Sequence, residues 1–188
     1  MNCKSAVVLF LFGFLLVSCE DENVMPKPKA MLRLEYPMAK EAELNVGELT
    51  FNYNEQAKPV IKNKNAIIID YPGMKGAIFI TYKKIDDNLK NLITDAEKLS
   101  LEHMKKADKI EPRTFINEDN KVYGTYFQII GDAASQSQFY LTDSINHFVT
   151  GSVYFYRKPN YDSILPAADY LQSDMRTIME TLRWSSEE

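Results

Sequence analysis

The sequence is poor in the residues that carry most enzyme chemistry. Its 188 residues include two cysteines, Cys3 and Cys19, both within the first 19 positions. The rest of the chain therefore offers no disulfide, thiolate nucleophile or cysteine metal site. Histidine is almost as scarce: His103 and His147 are the only two, so a zinc centre would have to be built mainly from carboxylates. Glycine occurs 7 times, and no GxGxxG or Walker-type GKS/GKT string is present to cradle a phosphate. HExxH, EF-hand and GxSxG patterns are missing as well. The net charge is -4, with both signs scattered along the chain, whereas a nucleic-acid footprint needs a basic excess or stripe. These absences lead us to expect no cofactor, no metal, no catalytic residue and no nucleic-acid partner.

Long hydrophobic runs are also lacking, with one exception. Residues 5–17, SAVVLFLFGFLLV, carry no charge and follow Lys4. The run is shorter than the roughly 20 residues of a spanning helix, and with its lone positive charge it fits a secretory signal peptide. Leu16-Val17-Ser18-Cys19 then resembles a bacterial lipobox: branched apolar residues, a small residue, and the cysteine that receives lipid. Several acyl chains on Cys19 would hold the protein to membrane lipid where one chain would not. The expected organisation is a signal peptide over 1–18, lipidated Cys19 and a tether over 19–30, and a single domain over 31–188. The tether, EDENVMPKPKA after the cysteine, is polar and rich in proline and lysine. Its acidic triplet Glu20-Asp21-Glu22 is either plain linker or a surface-export signal similar to that of some Bacteroidota lipoproteins.

What the remaining chain does have is hydrophobic content, 45% against 26% charged residues, which is the balance of a folded domain. MLRLEYP (31–37) and ELTFNYN (48–54) alternate apolar and polar residues as half-buried strands do. AIIIDYP (66–72) and GAIFITYK (76–83) are β-branched runs parted by Pro72-Gly73. Asp86-Asp87 opens a helix whose apolar stripe is Leu89, Leu92, Ala96, Leu99 and His103, running to about residue 107, with Pro112 closing the region. Strands are expected over 122–131, 137–144 and 147–156, the last two joined by the short turn DSIN. A final helix, capped by Asp162 or Ser163 and carrying Pro166 in its first turn, presents Ile164, Ala168, Leu171, Met175, Ile178 and Leu182, with Trp184 at its end. The fold class is α+β: an antiparallel β-sheet with two main amphipathic helices packed on it.

Asp143-Ser144 with His147 is the nearest approach to a nucleophilic cluster. It requires the Ser hydroxyl within hydrogen-bond reach of the imidazole. The same residues also suit a hairpin turn. His103, on an apolar stripe, is expected to be a satisfied buried imidazole. The pairs Asp86/Asp87 and Glu187/Glu188 belong to a helix start and a tail. Lys58, Lys62 and Lys64 fall in an expected loop, where they are solvated or meet an acidic partner or anionic lipid. Tyr123, Tyr126, Tyr140, Tyr154, Tyr156 and Tyr161 cannot all face one core. Either some form a partner-binding patch or the second helix covers them.

The mature region strongly resembles the gliding motility lipoprotein GldD family of the Bacteroidota. The strings that carry the likeness are LRLEYP, LEHMKKAD (101–108), YGTYFQIIGDAASQSQFYLTDSINHFVTGSVYF (123–155) and PNYDSILPAADYL (159–171). Many members carry a cysteine before each of the strands near positions 49 and 67. Here those stretches read NVGELTF and NKNAIII, so such a disulfide is absent and a looser loop over 54–65 is expected. The resemblance implies an envelope lipoprotein needed for gliding, non-enzymatic and associated with the type 9 secretion machinery; a periplasm-facing anchor is expected ahead of a surface-facing one. A ligand-binding envelope lipoprotein, for peptidoglycan, a lipid or a signal molecule, is the alternative. The order of elements is similar to the Mog1/PsbP-like α/β/α sandwich. Neither the membrane nor the oligomeric state follows from these residues.

Replacing Cys19 with Ser is expected to abolish palmitate labelling and move the chain out of the membrane fraction. Fractionation after metabolic labelling checks this, and the domain should remain folded.

Overall fold

The computed structural model describes residues 36–102, 106–156 and 160–185. The leader, Cys19, the tether, His103 and Glu187/Glu188 lie outside the described residues, as does most of the strand expected over 31–37. Its last two residues, Tyr36 and Pro37, have no regular structure.

The described residues form ten strands and two helices in the order β1 (Glu41–Val46), β2 (Leu49–Asn54), β3 (Lys58–Asn63), β4 (Ala66–Tyr71), β5 (Gly76–Lys84), α1 (Leu89–Glu102), β6 (Ala107–Asn117), β7 (Val122–Gly131), β8 (Ser135–Thr142), β9 (His147–Phe155), α2 (Tyr161–Thr181) and β10 (Arg183–Trp184). Seven strands form one antiparallel sheet in the order β3-β4-β5-β9-β8-β7-β6, and β1-β2-β10 form a second. The α+β class expected from the sequence is what the structure has.

Alternation along the strands sends side chains to two cores. Ile67, Ile69, Ile78, Ile80, Phe139, Leu141, Val149 and Val153 face α2, whose Leu171, Met175, Ile178 and Met179 are almost fully buried against them. Leu49 and Phe51 of β2 join this same core, and β10, which directly follows α2, pairs with β2. The small sheet and α2 therefore cover one face of the large sheet side by side. On the opposite face, Phe127, Tyr140 and Phe148 meet Leu92 of α1, with Leu89, Ile93 and Ala96 packed around them. Each large aliphatic side chain so buried contributes about 1.5–3 kcal/mol, so the extensive α2 core outweighs the small α1 core.

Several local expectations need correction. The loop expected to hold Lys58, Lys62 and Lys64 is largely β3, with Lys64 in the turn that follows; the paired strand replaces a loose 54–65 segment. Lys58 and Pro59 alternate with few apolar residues, which hid the strand. β1, β6 and β10 were also missed. Pro112 lies inside β6 rather than closing a helical region, because β6 is an edge strand whose missing N–H costs no ladder bond. α1 ends by Glu102 among the described residues, and Leu99 is exposed while Ser100 is buried. The buried stripe thus runs through Leu92, Ile93, Ala96 and Ser100. That helix starts at Asn88, whose carbonyl accepts from Asn91 and Leu92. For α2, neither Asp162 nor Ser163 is the cap: Asn160 holds the position, and Asp132 from the β7–β8 loop accepts the Tyr161 N–H at 2.8 Å. Pro166 sits in the second turn, where it removes one intrahelical bond.

Gly124 permits the closest strand approach: a Cβ there would stand 1.9 Å from the Tyr140 carbonyl oxygen. Gly124→Ala should lose about 1–3 kcal/mol, measured by chemical denaturation, without loss of membrane attachment.

Candidate functional site

The Asp143–His147 cluster occupies the joint between β8 and β9. Asp143 Oδ1 accepts the backbone N–H groups of Ile145, Asn146 and His147 at 2.8 to 2.9 Å. Burial opposes ionisation of this carboxyl, but the three donors outweigh it and hold its pKa below the usual range. Ser144 adopts a positive φ of 69° and donates its N–H to Thr142 Oγ1. No hydrogen bond joins Ser144 to His147. The imidazole Nδ1 lies 2.8 Å from the Tyr82 hydroxyl, and the ring stacks on Trp184 with centroids 5.1 Å apart. The residues are brought together as a turn staple, and the nucleophile–base pair is not formed.

The sequence places Trp184 only at the end of a helix. In the structure its indole donates to the Lys121 carbonyl at 3.1 Å, closing the end of the α2 core against the β6–β7 turn. A concavity of about 400 Å³ opens here between Asp119, Lys121, Asp143, His147, Arg183 and Trp184. Its charges are already committed in part: Asp143 to its loop and Arg183 to Glu43. Among the described residues, no three His, Cys, Asp or Glu side chains gather to hold a metal. No described helix is long and apolar enough to cross a membrane.

A second polar cluster could not be read from the sequence. Asp174, buried on α2, accepts from Asn54 Nδ2 at 2.9 Å and from the Tyr71 hydroxyl at 2.8 Å. Asn54 also donates to the Tyr170 hydroxyl, and Tyr170 donates to the Pro37 carbonyl. The network thus pins β2, β4, α2 and the incoming chain. Burial raises the Asp174 pKa above the ordinary value, although both donors act to lower it. The Tyr71 phenol is pushed up by burial first and by the Asp174 charge second.

Among the described residues, part of the large sheet is left uncovered by α1. On the face away from α2, Val60, Ile68, Phe79 and Tyr154 are half-buried or exposed, and Phe79 packs edge-on against Tyr154 at 5.8 Å. Register places Val60 beside Ile68, Ile68 beside Phe79, and Phe79 beside Ser152. Val60 is 38% exposed, and neighbouring Ile61 is 53% exposed. Lys58 and Lys62 flank them on an edge strand, where charge also discourages indiscriminate strand pairing. Of the six tyrosines with expected double allegiance, Tyr126 faces α2, Tyr140 faces α1 and Tyr154 belongs to this open part.

The Asp174 site predicts a sign for pH dependence. The unfolded chain ionises this group near its ordinary pKa, about 3.9, before the folded chain does. Relative to Asp174→Asn, the wild type should lose stability as pH rises above about 4, until the raised folded value is passed. Denaturant titrations of both proteins across that window check this. Asp174→Ala, which strands two buried donors, should cost about 1–3 kcal/mol for each.

A search of curated proteins gave no match. A family model described as gliding motility lipoprotein GldD matches residues 21–184, spanning every described strand and helix. With that match across most of its length, the chain belongs to the gliding motility lipoprotein GldD family.

Proposed function

We propose that the protein is a non-enzymatic accessory factor, held to an envelope membrane through acylated Cys19, that docks a protein of the gliding and type 9 secretion machinery. The observation that carries the reading is the uncovered sheet face. A sheet of seven strands with helix on both sides would ordinarily bury both faces. Here α2 and the small sheet bury one, while α1 packs over the β8–β9 region and leaves Val60, Ile68, Phe79 and Tyr154 accessible. An aromatic and aliphatic centre within a polar, lysine-bearing rim is the composition of a protein-docking patch. The geometry at Asp143, Ser144 and His147 supports a structural turn, and the lipobox supports a position tethered to an envelope membrane.

Native-membrane crosslinking from a photoreactive group at Thr81, on the same face, tests the reading. Recovery of gliding or type 9 secretion proteins is expected. Val60→Glu should abolish that recovery and impair spreading, while changing stability by about 0.5 kcal/mol or less and leaving membrane attachment intact. Unchanged recovery with Val60→Glu, or recovery of no such protein from the wild type, contradicts it.

A further inference from the structure

A slot of about 140 Å³ lies on the other side of the sheet, between the C-terminal half of α2 and the outer strands β6 and β7. Phe115 and Met179 supply apolar walls, Arg113 and Arg176 stand at its rim with Glu180, and Tyr126 closes the inner side. The volume is close to that of an engineered apolar cavity of about 150 Å³ that takes up benzene. One six-membered ring therefore fits.

Two features set this slot apart from an ordinary surface crevice. The first is Tyr126, which is 6% exposed, closes the floor of the slot, and has the Ser137 hydroxyl of the adjacent strand as its hydrogen-bonding neighbour. The second is the pair of guanidinium groups. Arg113 is oriented by Glu111 at 3.0 Å and Gln128 at 3.2 Å, both through one Nη atom. Arg176 makes only a long 3.5 Å contact from Nε to the Gln172 carbonyl, and no ion pair among the described residues. Both cations act on the Tyr126 phenol, although burial dominates its raised pKa. Within the lining, two guanidinium charges face the one carboxylate of Glu180.

From this geometry we propose that the slot binds a small aromatic carboxylate, its ring between Phe115 and Met179 and its carboxylate at Arg176 and Arg113. The planar fork of a guanidinium matches a carboxylate edge. The slot lies on the α2 side, away from the Val60–Tyr154 face, so this site and the docking face stand or fall separately.

Calorimetric titration of the full acylated chain in lipid nanodiscs, with empty nanodiscs as blank, tests the site. Benzoate, phenyl phosphate and benzyl alcohol are the probes. Saturable benzoate binding is expected, roughly tenfold or more tighter than benzyl alcohol. Arg176→Ala should weaken benzoate by a similar factor. Absence of saturable benzoate binding, equal binding of benzyl alcohol, or tighter binding of phenyl phosphate would overturn the proposal.

Discussion

The packing of α2 onto the large sheet is the constraint on which the rest of this molecule depends. Leu171, Met175, Ile178 and Met179 seal the isoleucine-rich centre of β4 and β5, and the helix runs directly into β10, which holds the small sheet in place. Apolar burial gives this contact its strength but not its register. Register comes from Asp174, whose two buried hydrogen bonds fix α2 against β2 and β4 at one rotation. An apolar residue of similar size would pack without that directional demand. Among the described residues no cation is paired with the carboxylate, so the specificity is held at a cost in desolvation.

With α2 so committed, the two faces of the sheet acquire different characters. The α2 face is the more fully covered, with Trp184 and His147 sealing one end and Tyr36 and Tyr170 packed at 5.1 Å near the other. The α1 face is closed only where Phe127, Tyr140 and Phe148 meet a short helix. The uneven cover follows from length: α1 has 14 residues and α2 has 21. At about 1.5 Å per residue, the shorter helix cannot span seven strands spaced roughly 4.8 Å apart.

The sequence revealed those parts of the fold in which periodicity and burial agree. The α2 stripe from Ile164 to Leu182 and the runs Ala66–Tyr71 and Gly76–Lys84 could be read because each is apolar with a clear period. β3 was hidden because an edge strand buries little and its lysines point to solvent. β6 was hidden by Pro112, a residue that excludes a central strand but not an edge. Leu99 misled because hydrophobicity alone cannot say where a helix face turns away from its sheet. The turn role of Asp143 was legible as chemistry, since an aspartate beside a serine favours local backbone bonds. Asp174 was not, because its partners Asn54 and Tyr71 lie more than 100 residues away in the chain. Tyr126 was visible only as one of several aromatics whose face could not be assigned.

The lack of cysteine beyond residue 19 makes the account directly measurable. Single cysteines placed by Val60→Cys and Thr81→Cys on the open face, and by Glu118→Cys away from it, can be alkylated in native membranes and in the purified protein. If the open face docks a partner, the first two react only after purification, while the third reacts in both. Equal labelling of all three in native membranes would contradict the account.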